Sequence, residues 1–481
     1  DTLQRNNKTD TALRLLQEDV SALGEVKQED LYSALPEKIE TAEFLCSDLT
    51  VIARIQLRIK KYSEARESAQ KALNIATQVI GPKSDLVMRN TATISQAFSE
   101  EGLHDKGFEW RKKLIALNRA NNLTKSKEFF ELLYLSASYH NNRGQSAAAL
   151  PLLKEAYALE FAGSEKKNDR IKILIALGET YLGLGDGKIA KEKFLEALPL
   201  EFDNDPNGHA YHCYNGLVRA SQANGELREA LKYNEYLSKM IESHGKNWKN
   251  GAAAGAYLDG AVILHEMGKI MQAHSLVDKG LKHEKQLGRE HLVNTAALLN
   301  FKGTLFRDQK KFQPEVDRRL LAIAICKKLN PPQPLATSSS LLQLAQCYFV
   351  QKRVREGQNT YREVVKNSVG SKDLELHFIH VYTEACLALS LLATDGEVKN
   401  AEIVKKNLLA NYQSSYNPYK KSDGIELATT LAALCVALKD SENARICIKY
   451  AQSLYDSSPA ELRSSYKKIE LAEKKLKAIK A

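Results

Sequence analysis

At 481 residues the chain is longer than one compact core usually serves, so several domains or an elongated repeat are expected. Hydrophobic residues at 43% and charged residues at 27% are ordinary for a soluble folded protein and argue against a disordered one. The formal charge of +10 is a modest excess, 69 basic against 59 acidic residues; it favours acidic partners weakly and does not by itself indicate nucleic acid.

The first 40 residues hold one amphipathic run, Leu13 to Leu23, which is expected to cap the start of whatever follows. From Thr41 to Ser457 the chain repeats. The clearest copy is "LGETYLGLGDGKIAKEKFLEAL", Leu177 to Leu198, with Gly178, Tyr181, Gly185, Ala190, Phe194 and Ala197 as its framework. Anchoring each copy on the residue equivalent to Ala190 gives Ala65, Gly107, Ala149, Ala190, Ala230, Ala273, Glu315, Gly357, Ala401 and Ala444. That makes ten units of about 42 residues, the period read directly from those positions. The seventh is the weakest, because Glu315 stands where the others have a small residue.

Each unit reads as two helices. Leu174, Leu177, Tyr181 and Leu184 recur three and four apart in the first, and Ala190, Phe194, Ala197 and Leu198 do so in the second. The glycine between them marks a bend that needs a positive backbone dihedral. Pro151 and Pro314 fall in the first turn of a second helix, where a missing N–H costs little; Pro199, Pro331, Pro332 and Pro334 fall between units. Ser243 to Ala256 and Asn411 to Gly424 read as longer loops between units, and "NPPQP" near 330–335 as a possible hinge. From Ser458 on, Ser458, Pro459 and Glu461 form a capping box, and Leu462, Tyr466, Ile469, Leu476 and Ile479 a stripe. This last helix is expected to cover the apolar face of the tenth unit.

The order glycine, tyrosine, glycine, alanine, phenylalanine, alanine resembles the tetratricopeptide repeat, whose usual unit has about 34 residues. The longer unit here is similar to the repeats of kinesin light chains and related bacterial proteins. "LGREHLVNTAALLNFKGTLFRDQKKF", Leu287 to Phe312, carries that likeness best, although Leu292 replaces the proline usual after the histidine. The resemblance implies an all-α, right-handed superhelical solenoid of about ten helix-turn-helix repeats, residues 41–457, between capping segments at 1–40 and 458–481.

It also implies a function: a non-catalytic scaffold or adaptor that binds a protein or peptide in a concave groove lined by the first helices. Carried onto this sequence, the groove positions are Arg54 and Arg58; Asn141 and Asn142; Asn215, Arg219 and Gln222; Asn300 and Arg307; Gln343 and Gln346. Asparagine and glutamine can pair a peptide's donors and acceptors, and arginine grips carboxylates. The alternatives are a peptide-responsive regulator acting through a partner, and a nucleic-acid-binding helical repeat. Against the last, Tyr181, Tyr348, Tyr361 and Phe194 are framework residues, and the basic residues form no stripe. The family's carboxylate clamp does not carry over, since Lys172 is followed four residues later by Ala176.

Catalytic and cofactor readings are weighed and set aside. Gly183 to Lys188 looks like a phosphate loop, yet Leu182 occupies the required first glycine and Ile189 the hydroxyl position. His209 with His212, and His377 with His380, each offer at most two zinc ligands on a helix face, and zinc needs three. No cofactor, metal or catalytic set is expected. The seven cysteines are odd in number and lack a CxxC pair, which suits buried thiols and a reducing compartment. The longest nearly uncharged apolar stretch, Leu427 to Leu438, is too short to span a bilayer, so no membrane span and a cytoplasmic location are expected. A first residue that is not methionine leaves an exported or processed protein open.

Overall fold

The computed structural model describes residues 2–23, 36–159, 166–198, 209–244, 252–289, 291–330, 332–371, 373–412, 421–456 and 463–479. The capping box at Ser458, Pro459 and Glu461, the centres of the two longer loops (245–251 and 413–420), Pro199 and Pro331 lie outside the described residues. Every described element is helical. The chain divides into two compact units, Asp1–His209 and Ala210–Ala481.

In the first unit, α1 (Thr2–Leu23) packs on α2 (Pro36–Arg58), and Leu13 and Val20 turn inward. Four hairpins follow: α2 with α3 (Tyr62–Ile75), α4 (Asp85–Glu100) with α5 (His104–Ala120), α6 (Lys127–Asn141) with α7 (Ser146–Ala158), and α8 (Lys166–Gly183) with α9 (Gly187–Ala197). The helix of α3 runs on as one wider π turn, Ala76–Ile80, before Gly81 ends it.

The second unit holds six more hairpins: α10 (His209–Ala223) with α11 (Leu227–His244), α12 (Ala252–Glu266) with α13 (Ile270–Gln286), α14 (Val293–Asp308) with α15 (Phe312–Lys327), α16 (Pro334–Val350) with α17 (Val354–Ser368), α18 (Leu374–Asp395) with α19 (Val398–Tyr412), and α20 (Lys421–Ala437) with α21 (Ser441–Asp456). The closing helix α22 (Arg463–Ile479) packs on α20 and α21 through Ile469, Ala472 and Leu476, and Tyr466 lies 5.0 Å from Tyr455 ring to ring. Within both units the hairpins stack so that neighbours share core residues.

The bends show how the repeat is punctuated. The chain turns at Lys60, Gly102, Gly144, Gly185, Gly225, Gly268, Lys310, Lys352, Gly396 and Lys439, all with positive φ and all in one register. Glycine takes that conformation freely, whereas a lysine there works against its own Cβ by about 1–2 kcal/mol. The four lysine bends are held by the same backbone bond as the glycine bends other than Gly396: Lys311 N donates to Phe306 O at 2.9 Å as Asp186 N does to Tyr181 O at 2.8 Å. Packing of the two helices, rather than the turn residue, decides the bend.

Small residues then let helices touch. A Cβ added to Gly178 would lie 2.6 Å from the Phe194 ring, and one at Gly357 2.7 Å from that of Phe349. Phe194 is fully buried, worth about 1.5–3 kcal/mol of transfer free energy. Helix α18 is more apolar than the sequence reading allowed. An 18-residue stretch within Glu375–Asp395 has mean hydropathy 1.4, long and apolar enough to cross a membrane by length and composition. In the structure α18 packs on α16, α17, α19 and α20, with Ile379, Val381, Ala385, Ala388 and Leu391 buried, as a core helix of the second unit.

Candidate binding face of the first helices

The first helix of each hairpin offers several registers of side chain, and the structure gives them different jobs. One register is spent between hairpins. Asn300 on α14 is buried and donates from Nδ2 to Ser340 Oγ on α16 at 2.8 Å. The same two registers meet at the other end of the chain with the chemistry exchanged, where Asn90 Nδ2 on α4 donates to Thr50 Oγ1 on α2 at 2.8 Å. Two turns further along, Asn141 Nδ2 on α6 donates to Thr180 Oγ1 on α8 at 2.8 Å. Each bond joins neighbouring first helices, and a buried bond of this kind is worth about 1 kcal/mol net.

Arg307 and Gln343 are also turned to internal partners. Arg307 Nε donates to Glu315 Oε1 at 2.8 Å. Gln343 Oε1 accepts from Arg319 Nη1 at 2.5 Å. Glu315 and Arg319 are both fully buried, and Arg319 Nε donates to Glu315 Oε1 at 2.9 Å. The residue that weakened the seventh repeat in sequence is thus the centre of a buried ionic network. Asn141, Asn300, Arg307 and Gln343 therefore contribute first to the stack.

Other candidates are exposed or half-buried, although Asn215 shares the repeat position of Asn300, and Gln222 that of Asn141 and Arg307. Arg54 and Arg58 on α2, Asn142 at the end of α6, and Arg219 on α10 are exposed; Asn215, Gln222 and Gln346 are half-buried. Asn215, Arg219 and Gln222 lie four and three residues apart, one stripe on α10. Beside that stripe the structure adds a group that sequence reasoning missed. Asp259 on α12 is mostly desolvated, and burial pushes its carboxyl up to about 6, while the charge of Arg219 acts the other way. Burial, and then the charge of Asp259, likewise raise the Tyr211 phenol. The signal was present as a lone acid inside the apolar run "AYLDGAVIL", but only the packing of α12 on its neighbours desolvates it.

The chemistry set aside in the sequence can be placed. Gly183 to Lys188 is the bend of the fourth hairpin: α8 precedes it, Gly185 has φ +80°, and Asp186 caps α9 by accepting from Ile189 N at 3.0 Å. His380 Nδ1 lies 3.1 Å from Ser368 Oγ and its Nε2 3.6 Å from Glu384 Oε1. His209 is buried and His212 exposed. Among the described residues no three His, Cys, Asp or Glu side chains gather to hold a metal ion. The seven cysteines are free thiols. Burial pushes Cys46 and Cys347 up to about 11 and Cys386 up to about 12, so the nucleophilic thiolate is suppressed.

No protein-family model and no curated protein matches the chain. Solved structures do. A tetratricopeptide repeat protein from Parabacteroides merdae is 14% identical, covering 63% of this chain and 98% of its own, with a TM-score of 0.44. A putative kinesin light chain from Podosopora anserina, with nearly identical tetratricopeptide-like repeats, is 16% identical, covering 42% of this chain and 97% of its own, with a TM-score of 0.34. The apo form of RapI is 10% identical over 86% of this chain and 98% of its own, with a TM-score of 0.45. At these identities the likeness concerns the helical-repeat fold alone.

Proposed function

We propose that the chain is a non-catalytic scaffold that holds a peptide segment or a protein partner against exposed residues of its first helices. The observation that carries this reading is the division of that face. Four of the polar candidates are turned to partners inside the stack, while Arg54, Arg58, Asn142 and Arg219 remain exposed beside half-buried amides. The stripe Asn215, Arg219 and Gln222 combines a cation with two amides, each able to donate and accept, which is what a peptide backbone with an acidic side chain requires. The whole of the chain's basic excess lies in the second unit, which supports an acidic partner there.

Selection of displayed random peptides on the full chain tests this. The expected result is a set of acidic sequences that the Asn215→Ala, Arg219→Ala, Gln222→Ala variant no longer retains. Equal retention by the variant, with its helix content unchanged, would move the site away from this face.

A further inference from the structure

The first unit carries a second candidate site on the opposite wall of its hairpins. A furrow of about 670 Å³ runs between α3 with its π turn and α5, floored in part by Val87 and Thr91 of α4. One wall is aromatic and aliphatic: Trp110, Ala116, Leu117 and Ala120 of α5 face Leu73 across the gap. The other rim carries a row of amides, Gln70, Asn74 and Gln78. Lys113 is the single charge among the lining residues, and its ammonium sits 3.9 Å from the centre of the Trp110 ring. No acid lines the furrow.

These features fit one kind of occupant. Amides four residues apart on a helix are spaced by about 6 Å. An extended peptide repeats its outward backbone groups every two residues, about 6.6 Å. The two periods match closely enough for neighbouring amides to serve successive dipeptides. Gln70 Nε2 donates to Asn74 Oδ1 at 2.8 Å, which fixes the row and turns the Gln70 carbonyl and the Asn74 amide protons to other partners. Trp110 and the small residues Ala116 and Ala120 leave room for an apolar side chain. Lys113, already held over the indole, calls for a carboxylate next to it. Continuation of α3 as a wider π turn brings Thr77 and Gln78 to the furrow's end; π turns are frequent at functional sites.

We propose that this furrow binds a short extended peptide that presents one aliphatic or aromatic side chain to Trp110 and one acidic side chain to Lys113. The site is separate from the face of the first helices and does not depend on that reading.

Trp110 is its own reporter. In a Trp248→Phe background, the full chain is titrated with N-acetylated hexapeptides that carry one Leu, Ile or Phe and one Asp or Glu at each spacing. The expected result is a saturable change in Trp110 emission for a subset, weaker by about tenfold when the acid is replaced by lysine, as one well-placed charge pair is worth. Lys113→Glu should invert that preference, and Ala116→Leu, which fills the furrow, should abolish it while far-ultraviolet circular dichroism stays unchanged. The Asn215→Ala, Arg219→Ala, Gln222→Ala variant should bind these peptides like the parent chain. No saturable change with any member of the panel would overturn the proposal. So would a response to the dye 8-anilinonaphthalene-1-sulfonate with no response to peptides, which would mark a small-molecule furrow instead.

Discussion

In the fourth hairpin Phe194 lies against Gly178; in the seventh, Arg319 lies against Gly303 at the same place in the repeat. Ala190 is the small anchor of the one, and Glu315 that of the other. Both pairs of side chains are fully buried. The fourth hairpin fills the space between its helices with one ring. The seventh fills it with an ion pair whose remaining donors reach out: Arg319 Nη1 to Gln343 Oε1 on the next hairpin, Arg319 Nη2 to Thr304 Oγ1 at 3.4 Å, and Arg307 to the same carboxylate. The difference teaches that the slot is set by volume and the neighbour by polarity. Phe194 needs only the glycine opposite it, whereas Glu315 and Arg319 draw on Arg307 and Gln343 as well as on each other. The seventh slot thus ties its hairpin to the next one, at the cost of desolvating two charges.

The largest expected effect comes from breaking that pair. Glu315→Ala leaves Arg319 charged and buried, and Arg319→Ala leaves Glu315 so; each should destabilise the second unit by about 3–5 kcal/mol. Glu315→Ala with Arg319→Phe rebuilds the fourth hairpin's solution and should restore stability to near or above that of the parent chain. Urea unfolding of the two single variants and the double variant measures this. If the double variant were as unstable as the singles, the slots would not be equivalent.

Next come the glycines opposite each slot. Gly178→Ala drives a Cβ to within 2.6 Å of the Phe194 ring and should cost about 1–3 kcal/mol by overpacking. Gly303→Ala meets Arg319 Cγ at 3.3 Å, a contact that a few tenths of an ångström relieves, and the substitution also gains helix propensity of up to about 1 kcal/mol. Thermal unfolding should therefore lower the midpoint for Gly178→Ala and leave it nearly unmoved for Gly303→Ala. Equal losses would mean that Arg319 is held as rigidly as the ring.

These contrasts also show what the sequence could and could not disclose. The period was legible because every unit must bend and must bring two helices close, and glycine and alanine are the residues that permit both. The bends at Lys60, Lys310, Lys352 and Lys439 were hidden, since a lysine carries no sign of a positive φ. The departure at Glu315 was visible as a break in the pattern, but its meaning depended on Arg319 lying one helical turn later and on Gln343 arriving from another hairpin. Among the groove candidates, residue type gave the chemistry, but register alone did not give the face, since Asn215 is half-buried where Asn300 is buried. Whether Asn300 and Asn141 meet a ligand or a hydroxyl of the next hairpin was decided by stacking, which no local pattern records. The furrow beside Trp110 was illegible for the same reason, because its walls belong to two hairpins and its end to a π turn.

A smaller effect separates a carboxylate that is ionically paired in the core from one that is not. Glu315 has two guanidinium groups within hydrogen-bond reach; Asp259 on α12 is mostly desolvated, and the charge of Arg219 only partly offsets that. The folded-state pKa of Asp259 is raised to about 6 from the ordinary 3.8, chiefly by burial. The folded state therefore holds its proton at pH values where the unfolded chain has lost it. By linkage, stability attributable to this group is greatest below about pH 4 and declines as pH rises to about 6, above which the deficit is constant. Asp259→Asn keeps the shape and removes the titration. Denaturant unfolding of the parent chain and the variant across pH 4 to 7 should give curves that diverge upward in that window, the variant being the more stable at neutral pH. A variant less stable at pH 7 would show that the ionised Asp259 is stabilised by Arg219 more than burial penalises it. The stripe of Asn215, Arg219 and Gln222 would then share its cation with Asp259, and the peptide face would rest more on Arg54 and Arg58.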